Sequence, residues 1–299
     1  MNVAFFFEVL IGGLLAGVMY SLVALGFVLI YKASGVFNFA QGAMVFLAAL
    51  TFVSLVERGV NFWIALLITL TVMVVLAMAI EKVVLRPLVN QPPITLFMAT
   101  IGLTFVLEGL SQLVWGSQPH GLELGIPDVP MEWLSQSSGI NISQFDLFAA
   151  GVAGLLVATL ALFFQYTRIG RALRAVADDH QAALAVGIPL KNIWAIVWAV
   201  AGFVALVAGL MWGARNGVQY ALTFIALKAL PVLILGGFES VPGAIIGGLI
   251  IGASEKLAEV YIGPMVGGGI ESWFAYVIAL LFLLVRPQGL FGEKIIDRV

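Results

Sequence analysis

The chain has 299 residues, of which 62% are hydrophobic and only 10% charged, with a net charge of −2 and a mean hydropathy of +1.11. Globular chains are about half apolar and about a quarter charged, so this composition excludes an ordinary soluble domain and marks one membrane domain over residues 1–299. The absence of cysteine excludes disulfides, thiolate metal sites and cysteine nucleophiles, two histidines make little of a metal site, and the near-neutral charge gives no footprint for nucleic acid.

Charge-free windows define the expected spans in chain order: Val9–Tyr31, Phe37–Val56, Gly59–Ile80, Thr95–Leu107 continuing to Val114, Leu147–Thr167 and Asn192–Ala214. Each approaches the roughly 20 residues that cross about 30 Å of hydrocarbon. The first lacks any basic residue ahead of it before Lys32, so it reads as a retained span rather than a cleaved leader. In the C-terminal third, Leu222–Gly237 is interrupted by Lys228 and Pro231 and reads as a broken or re-entrant segment. Ala244–Leu257 is glycine-rich, and Ser272–Val285 is a clean final span. The expectation is an all-α polytopic helix bundle of eight or nine crossings, with nine preferred.

Lys and Arg near the span ends set the orientation. Trp115–Asp146 carries Glu123, Asp128, Glu132 and Asp146 but no Lys or Arg, which places it outside. Lys32, Lys82 with Arg86, the stretch Arg168–Lys191 and the tail from Arg286 to Arg298 belong inside, and Arg215 is left on an outer loop. The N-terminus is then outside and the C-terminus cytoplasmic, which requires an odd number of spans. Trp115, Trp133, Trp212 and Trp273 fall near the outer edges and suit an interfacial belt. Small residues recur every four positions at Gly13, Gly17 and Ser21, at Ala201, Ala205 and Gly209, and at Ala244, Gly248 and Gly252, a spacing that lets helix backbones approach closely in lipid.

Ionisable side chains near the bilayer centre cost from about 2.5 kcal/mol upward, so each requires a partner or a role. Glu108, Lys228 and the group Glu255, Lys256 and Glu259 are the candidates, and the last four either reach an interface or pair structurally. Ser34, Asn38 and Gln41 stand at i, i+4 and i+7 and are expected on one face entering the second span. There they either line a path for a small polar solute or cap and cross-link helices. Buried carboxylates along a route, which proton-driven carriers need, are nearly missing. No phosphate-binding GxxxxGK[ST] loop, HExxH pair or GxSxG elbow occurs, so no catalytic residue is assigned and any energy for active transport must come from another subunit.

The one sizeable charged segment is Arg168–Lys191, RIGRALRAVADDHQAALAVGIPLK. Leu173, Val176, Ala177, His180 and Leu184 share a helix face, and Arg171, Arg174, Asp178 and Gln181 share the other, with Arg174 and Asp178 spaced to pair. Gly187-Ile188-Pro189 stops the helix. The segment reads as one or two short amphipathic helices on a membrane surface, or as an ordinary basic inner loop.

Five stretches, GVMYSLVALGFVLIYKASGVFNFAQG (Gly17–Gly42), EKVVLRPL (Glu81–Leu88), GRALRAVADDHQAALAVGI (Gly170–Ile188), LKALPVLILGGFESVPGAIIGGLIIGASE (Leu227–Glu255) and RPQGLFG (Arg286–Gly292), resemble in that order the permease subunits of branched-chain amino-acid ABC importers. The resemblance implies an inner-membrane subunit working beside a second related permease, two cytoplasmic ATPases that bind the ATP, and a periplasmic solute-binding protein, with no cofactor of its own. It implies that Arg171, Arg174, Asp178 and Gly187 lie in the segment that couples to the ATPase, and that Gly236, Gly237 and Ser240 form a packing or gating turn. Asn38 and Gly42 match the family pattern, whereas Gln41 stands where members often have histidine and Asp179-His180 depart from the commoner residues. The family also includes permeases for urea, short amides and other small solutes, and a stand-alone secondary carrier is the alternative from a different class.

Overall fold

The computed structural model describes residues 3–88, 91–178 and 180–292. Its described residues are mostly helical, with α1 (Val3–Ser34), α2 (Gln41–Glu57), α3 (Phe62–Ala79), α4 (Pro93–Trp115), α5 (Glu132–Ser138), α6 (Gln144–Tyr166), α7 (Arg168–Asp178), α8 (His180–Ala185), α9 (Leu190–Asn216), α10 (Ile225–Gly236), α11 (Val241–Tyr261), α12 (Gly263–Val266) and α13 (Glu271–Val285). A π-helical turn (Ile80–Leu85) and a 3-10 turn (Arg86–Leu88) extend α3, and a 3-10 turn (Tyr220–Phe224) leads into α10. Extended pairing among the described residues is confined to single bridges, His120 with Val218 and Pro130 with Ser143.

Among the described residues, six helical stretches are long and apolar enough to cross a membrane: Val3–Ser34, Phe62–Leu88, Ile94–Trp115, Gln144–Tyr166, Leu190–Asn216 and Val241–Tyr261. Gln41–Glu57, Tyr220–Gly236 and Glu271–Val285 are apolar and shorter. Helix α1 extends beyond its expected span at both ends; its 32 residues correspond to about 48 Å at 1.5 Å per residue. The second helix begins later than expected, at Gln41, because Gly35 takes a left-handed φ of 67° and ends α1. Capping fixes other starts: Asn61 accepts from the Trp63 amide (3.0 Å) ahead of α3, and Ser240 accepts from the Gly243 amide (3.0 Å) ahead of α11.

The chain divides into two compact units. The first comprises Met1–Leu25, Leu124–Thr159 and Leu227–Val299. Its spine is the meeting of two small-residue stripes. A Cβ on Gly17 would fall against the Gly248 carbonyl oxygen, one on Gly252 against the Gly13 oxygen, and one on Gly248 against Ser21 Oγ. Ser21 Oγ donates to the Gly17 carbonyl (2.9 Å) and lies 3.3 Å from the Ile245 oxygen, so its polar group is satisfied inside the seam.

The second unit comprises Gly26–Glu123 and Leu160–Ala226. Helix α2 is its core: every residue from Gln41 to Ser54 is buried, which explains why its sequence has no polar face. Glycines again set the approach of its neighbours, with Gly209 of α9 against the Val45 carbonyl and Gly202 of α9 against the Met73 carbonyl of α3. Phe27 stacks on Phe37 (4.7 Å between centroids), and Phe39 meets both Phe37 and Phe97 edge-on, holding the turn between α1 and α2. Trp212 is buried in this core at 5% exposure, which corrects its expected place in an interfacial belt; Trp133 and Trp273 are exposed.

Candidate functional site

The charged segment is helical over Arg168–Asp178 and His180–Ala185. Thr167 caps α7, accepting from the Gly170 amide at 3.2 Å. The chain turns so tightly from α6 that a Cβ on Gly170 would collide with the Phe164 carbonyl. Turning there strands the last carbonyls of α6, and the arginines of α7 take them up. Arg174 donates to the Phe164 (2.7 Å) and Gln165 (3.1 Å) oxygens and Arg171 to the Tyr166 oxygen (3.2 Å), placing positive charge at the negative end of the helix. Arg174 is therefore committed to α6, and the expected Arg174–Asp178 pair is not among the ion pairs of the described residues; Asp178 is exposed.

Leu173 and Val176 are buried as the helical wheel predicts, but Leu184 is 55% exposed. Asp179 and the side chains of His180 and Gln181 lie outside the described residues, as does the tail beyond Gly292. After α8, the Ile188 amide bonds the Ala183 carbonyl and the Gly187 amide the Leu184 carbonyl, both at 3.0 Å. That is a Schellman turn, and it requires the left-handed φ of 85° found at Gly187. Leu184 and Val186 thereby stand exposed beside the turn.

Ser34, Asn38 and Gln41 do not share a helix face, because six residues of turn lie between Ser34 at the end of α1 and Gln41 at the start of α2. Ser34 Oγ donates to its own helix, to the Ile30 carbonyl (2.8 Å). Asn38 and Gln41 are both fully buried. Asn38 Nδ2 donates to Gln41 Oε1 (3.2 Å), Asn38 Oδ1 accepts from the Ala40 amide (3.1 Å), and Gln41 Nε2 donates to the Ala201 carbonyl of α9 (3.4 Å). Gly26 leaves the room the Gln41 carboxamide occupies. The result is a closed polar knot between α2 and α9.

Gly236, Gly237 and Ser240 sit at the turn between α10 and α11, and RPQGLFG folds onto it. The Leu290 amide donates to the Leu235 carbonyl (2.8 Å) and the Phe291 amide to the Gly236 carbonyl (3.2 Å). Gly237 has a φ of 103°, and a Cβ there would lie 2.9 Å from the Gly292 nitrogen. Two of the sequence stretches are thus one backbone clasp, with no space for side chains between them.

The ionisable groups of α10, α11 and α13 pair with one another. Lys228 Nζ donates to Glu255 Oε1 (2.7 Å) and Glu271 Oε1 (2.9 Å) and lies 3.4 Å from the Tyr20 hydroxyl, while Lys256 Nζ reaches Glu271 Oε2 at 3.1 Å. Two ammonium groups and two carboxylates balance on α10, α11 and α13, so Lys228 and Glu255 meet the pairing expectation. Glu271 and Tyr20 escaped sequence reasoning; the single hint was an acid at the edge of the last apolar run. Glu259 accepts from the Gly269 (2.9 Å) and Glu271 (2.8 Å) amides, fixing the start of α13. In the second unit, Glu108 accepts from the Tyr220 hydroxyl (3.2 Å), and Glu81, 2% exposed, holds Arg86 through two bonds of 3.0 and 2.7 Å. Among the described residues no group of three His, Cys, Asp or Glu could hold a metal ion.

Long apolar helices, tight glycine seams and internally neutralised charges define a polytopic helical membrane protein. Residues 9–286 match the family model described as "Branched-chain amino acid transport system / permease component", and the chain belongs to that family. It is a family of transport permease components, not of enzymes. The chain is 28% identical to the high-affinity branched-chain amino acid transport system permease protein LivH of Escherichia coli K12 over 310 aligned positions, covering 99% of this chain and 98% of that one. It is 27% identical to LivH of Salmonella typhimurium with the same coverage. To the corresponding protein BraD of Pseudomonas aeruginosa it is 28% identical, with 98% of each chain covered.

Proposed function

We propose that the chain is the membrane-spanning subunit of a binding-protein-dependent ABC importer that carries branched-chain or similar amino acids across a bacterial inner membrane. The observation that carries this reading is the charged helical segment of α7 and α8, lying between two long apolar helices, whose arginines are bonded to the end of α6. A push on α7 would pass directly into α6 through Arg171 and Arg174, while Asp178 and the exposed Leu184 and Val186 offer a surface to a cytoplasmic ATPase. Gly187 fixes the turn that presents them. Two ATPases would bind and hydrolyse the ATP, a second related permease would complete the pathway, and a periplasmic protein would deliver the solute. The chain itself would hold no cofactor.

Six long and three shorter apolar helices support nine crossings, with the N-terminus outside and the C-terminus cytoplasmic. The Asn38–Gln41 knot, with Ser34 at its entry, would border the path by holding α2 on α9, and the clasp at Gly236, Gly237 and Ser240 would keep α10 and α11 moving together. The test is ATP hydrolysis by the co-purified complex in liposomes, given binding proteins loaded with different solutes. Stimulation by a leucine-loaded protein and not by a urea-loaded one is expected; stimulation by the urea-loaded protein alone would replace the solute assignment with the amide class.

A further inference from the structure

Helix α10 carries Pro231 in its interior. A proline has no amide hydrogen, so the carbonyl four residues earlier loses its helical partner, and the ring pushes that carbonyl outward. The residue four earlier is Leu227. In lipid such a freed carbonyl must find another donor. It finds one on a different helix: the Tyr276 hydroxyl of α13 donates to the Leu227 oxygen at 2.6 Å. The next residue, Lys228, is gripped by Glu271 of the same helix, and Glu271 is held in turn by Lys256. Helix α13 thus takes hold of α10 at two successive residues, on the backbone and on the side chain, at the place where the proline has weakened it.

We propose that Tyr276 and Glu271 are positioning residues for transport, forming a strap that replaces the hydrogen bond deleted by Pro231 and holds the proline turn of α10 in register. The inference rests on the transport reading given above and adds to it the element that bends. Pairing a helical hydrogen bond deleted by proline with a replaceable side-chain bond would give α10 two accessible arrangements, strapped and released. The Tyr276 bond is the cheaper of the two grips to exchange, since it joins neutral groups, whereas the Lys228–Glu271 pair is reinforced by Glu255 and Lys256.

A double-mutant cycle between Tyr276→Phe and Pro231→Ala tests the strap, because the alanine restores the amide that bonds Leu227 within the helix. With Pro231 present, Tyr276→Phe is expected to lower the melting temperature of the purified protein by about 2–4 °C, the shift that loss of one hydrogen bond of about 1 kcal/mol gives in a domain of comparable size. In the Pro231→Ala background, the same substitution is expected to be silent. An equal shift in both backgrounds would mean that the Tyr276 hydroxyl contributes independently of the bond deleted by Pro231 and would overturn the strap; no shift in either would do the same. The second readout is ATP-driven uptake by the reconstituted complex. Pro231→Ala is expected to lower uptake while leaving the protein at least as thermally stable, whereas full uptake would overturn the positioning role. The thermal cycle requires no solute, so its result stands even if the transport reading fails, and uptake by the unmodified complex tests that reading separately.

Discussion

Gly248→Leu is expected to prevent accumulation of the folded protein. A Cβ at 248 already falls on Ser21 Oγ and the Gly17 carbonyl, and the facing Gly17 and Gly252 leave no slack, because each needs the same close approach of α1 and α11. Overpacking a tight site costs about 1–3 kcal/mol when the surroundings give way and more when the obstacle is backbone. Against a total stability of about 5–15 kcal/mol, separating the seam along its length is expected to unfold the first unit. Gly109→Leu serves as the control: it is also helical, but nothing lies within 4 Å of its Cβ position. Membrane yield and the monodisperse fraction after extraction measure both. A Gly248→Leu protein extracted with normal yield and melting temperature would show that the seam can open.

Gly170→Val is expected to leave a folded, membrane-inserted and assembled subunit that no longer couples. The substitution drives a side chain into the Phe164 carbonyl and must lift α7 away from the end of α6. Arg174 and Arg171 would then leave the carbonyls of Phe164, Gln165 and Tyr166, of which the part-buried Arg174–Phe164 bond contributes most and the two exposed ones, screened by solvent, less than about 1 kcal/mol each. Loss of a defined geometry between the two helices is expected to reduce ATP-driven uptake at least tenfold, as a coupling energy above about 1.4 kcal/mol implies. ATP hydrolysis would continue without stimulation by the loaded binding protein. Uptake at the unmodified rate would show that the corner at Gly170 plays no part in coupling. Loss of assembly together with uptake would assign it to folding instead.

The long apolar windows were legible because membrane spans are set by length and composition, and Gln144–Tyr166 and Leu190–Asn216 lie within three residues of their expected ends. The small-residue stripes at Gly13, Gly17 and Ser21 and at Ala244, Gly248 and Gly252 were legible as close-packing faces. Their pairing with each other was not, since periodicity reports the face a helix presents and not the helix it meets. The same limit hid Tyr276 and Glu271: each is an ordinary polar residue in the sequence, and its meaning comes from α10 lying beside it. Ser34, Asn38 and Gln41 failed as a shared face for a different reason. Their spacing assumes one unbroken helix, and Gly35 breaks it. At Gly187 and Thr167 the local chemistry sufficed, because a turn needing left-handed backbone and a hydroxyl ahead of a helix are decided by neighbours in sequence.

The most direct test of the account is uptake of labelled leucine into liposomes that contain either this chain alone or the complex with its co-expressed ATPases and second permease, with binding protein present and ATP enclosed or withheld on the ATPase side. The account predicts uptake only by the full complex and only with ATP. Uptake by the chain alone, independent of ATP, would contradict it and make the protein a self-sufficient carrier.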